Sequence, residues 1–398
     1  MKVTDLKALH EKLVLNAVRE SGETTRSEVS TATGLSYPTV AALVQTLIAQ
    51  GLVHELDRPH ATGGRPSGVL AFDPTARFVV GIDLSEDRIR TSLVDLNGGF
   101  IADPQEGRPV QAWAGLATAI IEAVEQQLRA RPDYPLDKLF SIGVGVRGSF
   151  EPHEGLVYLS HDETPVRLER SLQQRFGVPV LVDHNYNAAL LGEAEFGVAR
   201  GVRSAVFVNA GIGLGSALMF DGRIYQGFSG NAGELGHMCV EPDGERCPDC
   251  GRHGCLELYA SAPAILRSIS SNDHGSTGAA PDTERRIRHL LEHAETGDVV
   301  AREALKPAAR YIAIAFANLI NILEPEMAIL GGPVGGRSKY LFHQVRTRVQ
   351  HYAWPHSMRF VRLVQATSSD DGALRGAASL AIRARLSPEA AVPLAGRY

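Results

Sequence analysis

Two stretches of the chain share one grammar: FVVGIDLSEDRIRTSLVDLNGG at 78–99 and SAVFVNAGIGLGSALMFDG at 204–222. Each opens on an apolar run, Val79 to Asp83 in the first and Ser204 to Asn209 in the second. A second run follows, Arg90 to Asp95 and Gly215 to Phe220, and then a turn, Asn97-Gly98-Gly99 and Asp221-Gly222. Short apolar runs closed by Gly, Asn and Asp read as paired strands. The repeated order predicts a duplication of one α/β unit. Reading outward from the first copy, Trp113 to Ala130 is an amphipathic helix, and Leu139 to Val146 and Val178 to Val182 are strands. Outward from the second lie helices at Asp298 to Leu323, Tyr340 to His351 and Gly372 to Arg385, with a strand at Met327 to Leu330 running into Gly331 and Gly332. Alternating strands and helices imply a mostly parallel sheet in each half.

The chain has 398 residues, enough for two to four domains. Its composition is that of a globular protein, with 44% hydrophobic and 21% charged residues. A net charge of -5 gives no global argument for nucleic-acid binding, so any such role must be local. No run approaches the ~18 apolar residues of a membrane span. The N-terminus carries Lys2, Asp5, Lys7, Glu11 and Lys12 where a signal peptide needs an apolar core. A cytoplasmic protein with no membrane role is expected. The boundaries expected are 1–72 for an N-terminal domain, 73–200 for a first lobe and 201–398 for a second, with the C-terminal helix a candidate to rejoin the first lobe.

The first domain reads as three helices and two strands. Leu6, Leu9, Leu13, Val14 and Ala17 recur at helical spacing. Thr25 is placed to cap a short helix from Arg26 to Thr33. Gly34 and Leu35 turn the chain, and Ser36 caps a third helix whose Val40, Leu43, Val44, Leu47 and Ile48 form one apolar stripe. This is a helix-turn-helix layout, in which the N-terminus of the third helix enters the major groove of double-stranded DNA. Leu52 to Leu56 and Val69 to Phe72 read as strands flanking HATGGRPSG at 60–68, the place of a wing. A Gly-flanked Arg65 suits a narrow minor groove. The expected DNA contacts are Arg26, Ser36, Tyr37, Thr39 and Arg65. A three-helix bundle for protein contacts, with a Gly-Pro linker, is the plainer alternative. Up to Arg65 the domain has seven basic and seven acidic residues, so it is no basic patch. Weak non-specific affinity and binding as a dimer are expected.

All four cysteines lie between 239 and 255, in the run GHMCVEPDGERCPDCGRHGCLE from Gly236. Clustering of this kind argues for a local metal or redox site over a disulfide scaffold. Cys247, Cys250 and Cys255 on Gly-containing turns can close a tetrahedral zinc site with a fourth ligand. His237 is the first choice for it, Cys239 the second and His253 the third. Four ligands leave no open position, so the zinc would be structural.

With these residues in view, the chain resembles the ROK family (repressors, open reading frames, kinases) over nearly its whole length. GNAGELGH at 230–237, the cysteine cluster and GCLE at 254–257 are similar to that family's sugar and zinc signature. The resemblance implies a duplicated actin-like, ribonuclease-H-like pair of lobes. It implies zinc ligands at His237, Cys247, Cys250 and Cys255, although the family usually has C-x-C where this chain has Cys247-Pro248-Asp249-Cys250. Sugar contacts are implied at Glu234, His237 and Glu257. The family's acid-amide pair falls on His184 and Asn185, which are therefore also expected to contact the effector. A kinase carries Asp at the second position as base, and an amide cannot take a proton from a sugar hydroxyl. The family's D-x-G-G-T phosphate loop is here Asp83-Leu84-Ser85-Glu86-Asp87, without glycines and with added acids. Gly211 to Gly215 keeps part of a second phosphate segment and is read as a tight turn. Arg147 stands where the family often has Pro; a surface ion pair is expected of it, with an acid group on the ligand as the alternative.

The expected function is therefore a sugar-responsive transcriptional regulator, a repressor in its default sign, with a non-catalytic effector lobe pair. Its partners would be an inverted-repeat operator, a carbohydrate effector and a second copy of the chain, as a homodimer or a dimer of dimers. A sugar kinase with a fused regulator is the alternative from the enzyme class, and a zinc or redox sensor is a third reading.

Overall fold

The structure, a computed structural model, describes residues 3–59, 68–84, 88–107, 115–151, 154–158, 165–269, 282–367 and 371–387. The N-terminal domain runs α1 (Val3–Ser21), β1 (Glu23–Thr25), α2 (Arg26–Thr33), α3 (Tyr37–Ala49), β2 (Val53–Pro59) and β3 (Gly68–Phe72). Thr25 closes a reciprocal capping box with Glu28, and Ser36 accepts from the Thr39 N–H to cap α3. Val40, Leu43, Val44 and Leu47 are buried as the stripe predicts. The pairs β2–β3 and β1–β3 are both antiparallel, which makes a winged helix-turn-helix; the three-residue β1 had no sequence signal. The wing residues 60–67, Arg65 among them, lie outside the described residues. One expectation shifts: α1 buries Val14, Leu15 and Val18, while Leu6 is exposed and Leu9 and Leu13 are half-buried. Leu15 and Val18 lie off the predicted stripe and join a core that the N-terminal domain shares with the C-terminal helix.

The first lobe comprises β4 (Phe78–Leu84), β5 (Arg90–Asp95), β6 (Gln105–Glu106), α4 (Leu116–Ala130), β7 (Leu139–Val146), β8 (Ser149–Glu151), β9 (Leu156–Tyr158), α5 (Leu168–Phe176), β10 (Val180–His184) and α6 (Asn185–Phe196). The second comprises β11 (Ala205–Ala210), β12 (Leu214–Phe220), β13 (Arg223–Ile224), α7 (Glu257–Ala260), α8 (Ala262–Arg267), α9 (Thr283–Thr296), α10 (Val299–Leu323), β14 (Met327–Gly331), α11 (Gly332–Gly335), α12 (Lys339–Tyr352) and β15 (Arg362–Gln365). The last helix is α13 (Gly372–Leu386). The sheet orders are β10-β7-β4-β5-β6 and β15-β14-β11-β12-β13. Position by position the two match, with an antiparallel meander of three strands on one side and two parallel strands on the other. The duplication predicted from 78–99 and 204–222 is thus present in topology, and the fold is the α/β, two-lobed one expected.

Although it follows the second lobe in sequence, α13 packs on the first. A Cβ built on Gly143 of β7 would stand 1.8 Å from the Ala377 carbonyl oxygen, and one on Gly81 of β4 would stand 2.7 Å from that of Leu374. Helix and sheet approach backbone to backbone, which only glycine permits. The expected second lobe of 201–398 therefore gives its last helix to the first. One continuous core then joins Val14, Val18, Leu47 and Leu70 of the N-terminal domain to Val79, Val94, Ala378, Ile382 and Leu386. Among the described residues no single helix is long and apolar enough to cross a membrane.

Candidate functional site

Between the lobes, the segment 226–234 of the second is laid over the β10–α6 junction of the first. Gln226 Nε2 donates to Asp183 Oδ2 at 2.8 Å, and Phe150 N donates to Asn231 Oδ1 at 3.3 Å. His184 Nε2 lies 3.1 Å from the Gly230 carbonyl, so that nitrogen carries the proton and donates. Tyr186 Oη donates to Glu234 Oε1 at 2.9 Å. Asp183 is buried and also accepts from the His184 N–H and from Asn187 Nδ2, both at 2.7 Å. It anchors the first turn of α6, where a carboxylate is favoured by the helix dipole.

The residues expected to meet a sugar fall around this junction. Glu234 is exposed, His237 and Asn185 are half-buried, and Glu257 is largely buried at the start of α7. His184 is fully buried, its ring stacked on Tyr186 at 4.8 Å between centroids, so it stands behind the surface that a ligand would touch. Glu257 Oε2 accepts from the Leu214 N–H at 2.9 Å. That N–H belongs to the Gly211–Gly215 turn, so the glycine segment reads as a structural turn whose donor is already held by a carboxylate. Burial pushes the Glu257 carboxyl above its ordinary range, while the Leu214 N–H, and less strongly His237 and Arg147, pull the other way. Of the family's first phosphate loop, Asp83 is buried and 85–87 lie outside the described residues.

His237, Cys247, Cys250 and Cys255 come together with their donor atoms all within 4.8 Å of one another. Cys250 Sγ and Cys255 Sγ are 3.5 Å apart, and Cys247 Sγ is 3.9 Å from His237 Nδ1. Zinc–sulfur bonds of about 2.3 Å at tetrahedral angles require sulfurs about 3.8 Å apart, so the donor set fits such an ion. Burial pushes the Cys247 thiol up and that of Cys255 up to about 12. Thiols at such positions are poor ligands until a cation deprotonates them. The extra residue of Cys247-Pro248-Asp249-Cys250 leaves Cys247 inside the cluster. Neither lower-ranked fourth ligand joins: Cys239 is exposed in a bridge opposite Cys255, and His253 Nδ1 faces the Gly244 carbonyl.

On the N-terminal domain, Tyr37 is 52% exposed at the start of α3 and Ser36 is exposed beside it. Ser36 Oγ and Thr39 Oγ1 share a hydrogen bond of 2.8 Å, which leaves both hydroxyls further capacity toward a phosphate or base. Arg26 differs from expectation. Its guanidinium is 11% exposed and bonds Glu55 of β2 at 2.7 and 3.4 Å. Instead of facing outward it braces the wing strand against α2. Sequence reasoning missed Glu55 in this role, and it missed Tyr186, whose only signal was an aromatic ring in the otherwise small stretch after His184.

The fold and the order of its domains recur in known proteins. The ROK family model matches residues 79–384, and a MarR family model matches residues 4–65. A xylose repressor of Bacillus spizizenii is 26% identical over 95% of this chain and 96% of its own. The DNA-binding transcriptional dual regulator NagC of Escherichia coli is 27% identical over 87% of this chain and 86% of its own. A solved ROK family transcriptional regulator, a homologue of the E. coli MLC protein, superposes with a TM-score of 0.80 at 24% identity, covering 96% of this chain and 98% of that one.

Proposed function

The chain belongs to the ROK family, and from that premise we propose that it is a sugar-responsive, DNA-binding transcriptional repressor whose lobe pair binds a carbohydrate without transforming it. The observation that carries the reading is the single core shared by the winged helix-turn-helix, β4, β5 and α13. A DNA-reading module built into the wall of a ligand-binding lobe can feel how the lobes sit. The effector site we infer uses Glu234, His237 and Glu257 from one lobe and Asn185 from the other. Carboxylates, an imidazole and an amide together offer the fixed acceptors and donors that hydroxyl groups need. His184 would support this set from behind. The names of the relatives make xylose and N-acetylglucosamine the first ligands to test.

Zinc held by His237, Cys247, Cys250 and Cys255 would be structural, fixing the turn that carries Glu234 and the helix that begins at Glu257. With His237 Nδ1 among the thiols, its Nε2–H would remain to donate to a sugar oxygen. DNA contacts are inferred for Ser36, Tyr37 and Thr39, with Arg65 on the wing. The operator would be an inverted repeat bound by a homodimer, on the chromosome and hence in the cytoplasm. The kinase alternative has less support, since Asn185 cannot serve as base and Glu257 holds the Leu214 N–H. Gel shifts on the protein's own upstream region, with a sugar panel and a parallel assay for ADP release, test the reading. Release of DNA by one sugar without ADP formation supports it, and sugar-dependent ADP release without any effect on DNA contradicts it.

A further inference from the structure

Tyr186 sits in a slot made for an aromatic ring. A Cβ on Gly215 would be 2.5 Å from Tyr186 Cδ1, and one on Gly233 would be 3.4 Å from Cε2. Gly215 of the second lobe thus clears space for a side chain of the first, and Gly233 packs in contact with the same ring. The parallel His184 ring, 8° from coplanar, closes the other face. Only 8% exposed, Tyr186 has its hydroxyl aimed at Glu234 Oε1. Fixed donors of this kind hold a recognition carboxylate in one orientation before a ligand arrives.

Tyr186 is also the second residue of α6. A Cβ on Gly376 of α13 would lie 1.8 Å from the Ala188 carbonyl oxygen, and one on Gly192 of α6 would lie 3.1 Å from the Gly376 nitrogen and 3.2 Å from the Gly372 carbonyl oxygen. Helices in backbone contact resist sliding past one another, so α6 and α13 are packed as one unit. At the far end of α6, Glu195 stands 3.8 Å from Arg19 of α1 and 3.5 Å from Arg383 of α13.

We propose that Tyr186 is a positioning residue for effector recognition: its hydroxyl presets Glu234 for the sugar and ties occupancy of the cleft to the α6–α13 body on which the DNA-binding domain is seated. The proposal rests on the carbohydrate-responsive reading above. A hydrogen bond to a charged group corresponds to roughly ten- to a hundredfold in affinity. The test is full-length, metal-loaded Tyr186→Phe, which removes one oxygen and keeps the ring. Three quantities are read beside wild type: melting temperature, sugar affinity by calorimetry, and operator affinity with and without saturating sugar.

We expect an unchanged melting temperature, unchanged operator affinity without sugar, sugar affinity weaker by about tenfold or more, and a smaller sugar-induced change in operator affinity. Wild-type sugar affinity in the variant overturns the proposal. So does a fall in sugar-free operator affinity matching the fall in sugar affinity, which would mark a structural role. A wild-type protein that ignores every sugar defeats the underlying reading, whatever the variant does.

Discussion

Lys12 of α1 donates from Nζ to the carbonyl oxygen of Ala384, 2.6 Å away and 372 residues on in sequence. The last carbonyls of a helix have no partner within it, and a cation at that end also meets the negative pole of the dipole. Lys12 therefore closes α13 from outside while fastening the DNA-binding domain to the lobe. Burial, with Arg385 nearby, pushes its ammonium below the usual lysine range, as expected of a charge held in an interface.

Lys12→Met keeps most of the stem and removes the donor. The expected loss is about 1–2 kcal/mol of stability, read by chemical denaturation. Because the bond crosses between domains, the sugar-induced change in operator affinity should also shrink. A variant with wild-type stability and coupling would show that this seat is incidental.

The Arg26–Glu55 pair should hold the wing strand modestly. Its carboxylate is 44% exposed, so a double-mutant cycle of Arg26→Ala and Glu55→Ala should return about 0.2–1 kcal/mol of coupling. Arg26 holds the Glu55 carboxyl below its usual range. A depressed folded value contributes stability above the unfolded one, near 4.5, and loses it as pH falls through the folded value. The coupling should thus be present at neutral pH and vanish on acidification; a coupling that persists in acid would contradict the ion-pair account.

Metal content tests the cysteine cluster. Native mass spectrometry should show one zinc per chain, lost in Cys250→Ser together with several degrees of melting temperature. Chelation should abolish the sugar response, because the turn bearing Glu234 and the start of α7 lose their anchor. A fully stable, sugar-responsive protein without metal would remove zinc from the account.

Gly143→Ala puts a methyl where the Ala377 carbonyl already stands. Neither backbone can yield cheaply, so destabilisation of about 1–3 kcal/mol or more is expected. Since α13 also forms part of the core of the DNA-binding domain, operator affinity should fall with it. A neutral substitution would show that α13 is only loosely attached.

Glu257→Gln keeps an oxygen for the Leu214 N–H and removes the charge. Operator binding without sugar should stay at wild-type strength, while sugar affinity should drop about tenfold or more. Equal response to sugar would move the effector site elsewhere.

Much of this was legible in the sequence because it is local. The caps at Thr25 and Ser36, the stripe from Val40 to Leu47 and the duplicated strand runs are short-range patterns, and each is found where its spacing puts it. The cysteine spacing likewise brought the four expected side chains together. What stayed hidden depends on contacts far apart in the chain. Nothing near Arg26 announces that Glu55 will take its guanidinium, and nothing near Gly143 announces α13. Leu15 and Val18 of α1 lie off the predicted stripe, in a core to which the other end of the chain contributes Ala378, Ile382 and Leu386. His184 looked like a ligand contact because polarity was visible and depth was not.

The most direct measurement is a fluorescence-anisotropy titration of the full-length protein on its operator, repeated at saturating xylose and at saturating N-acetylglucosamine. One sugar, or a close relative of it, is expected to weaken operator binding by about 5- to 150-fold, while ATP with magnesium neither changes the curve nor is consumed. Superimposable curves with every sugar, alongside phosphorylation of one of them, would contradict the repressor reading.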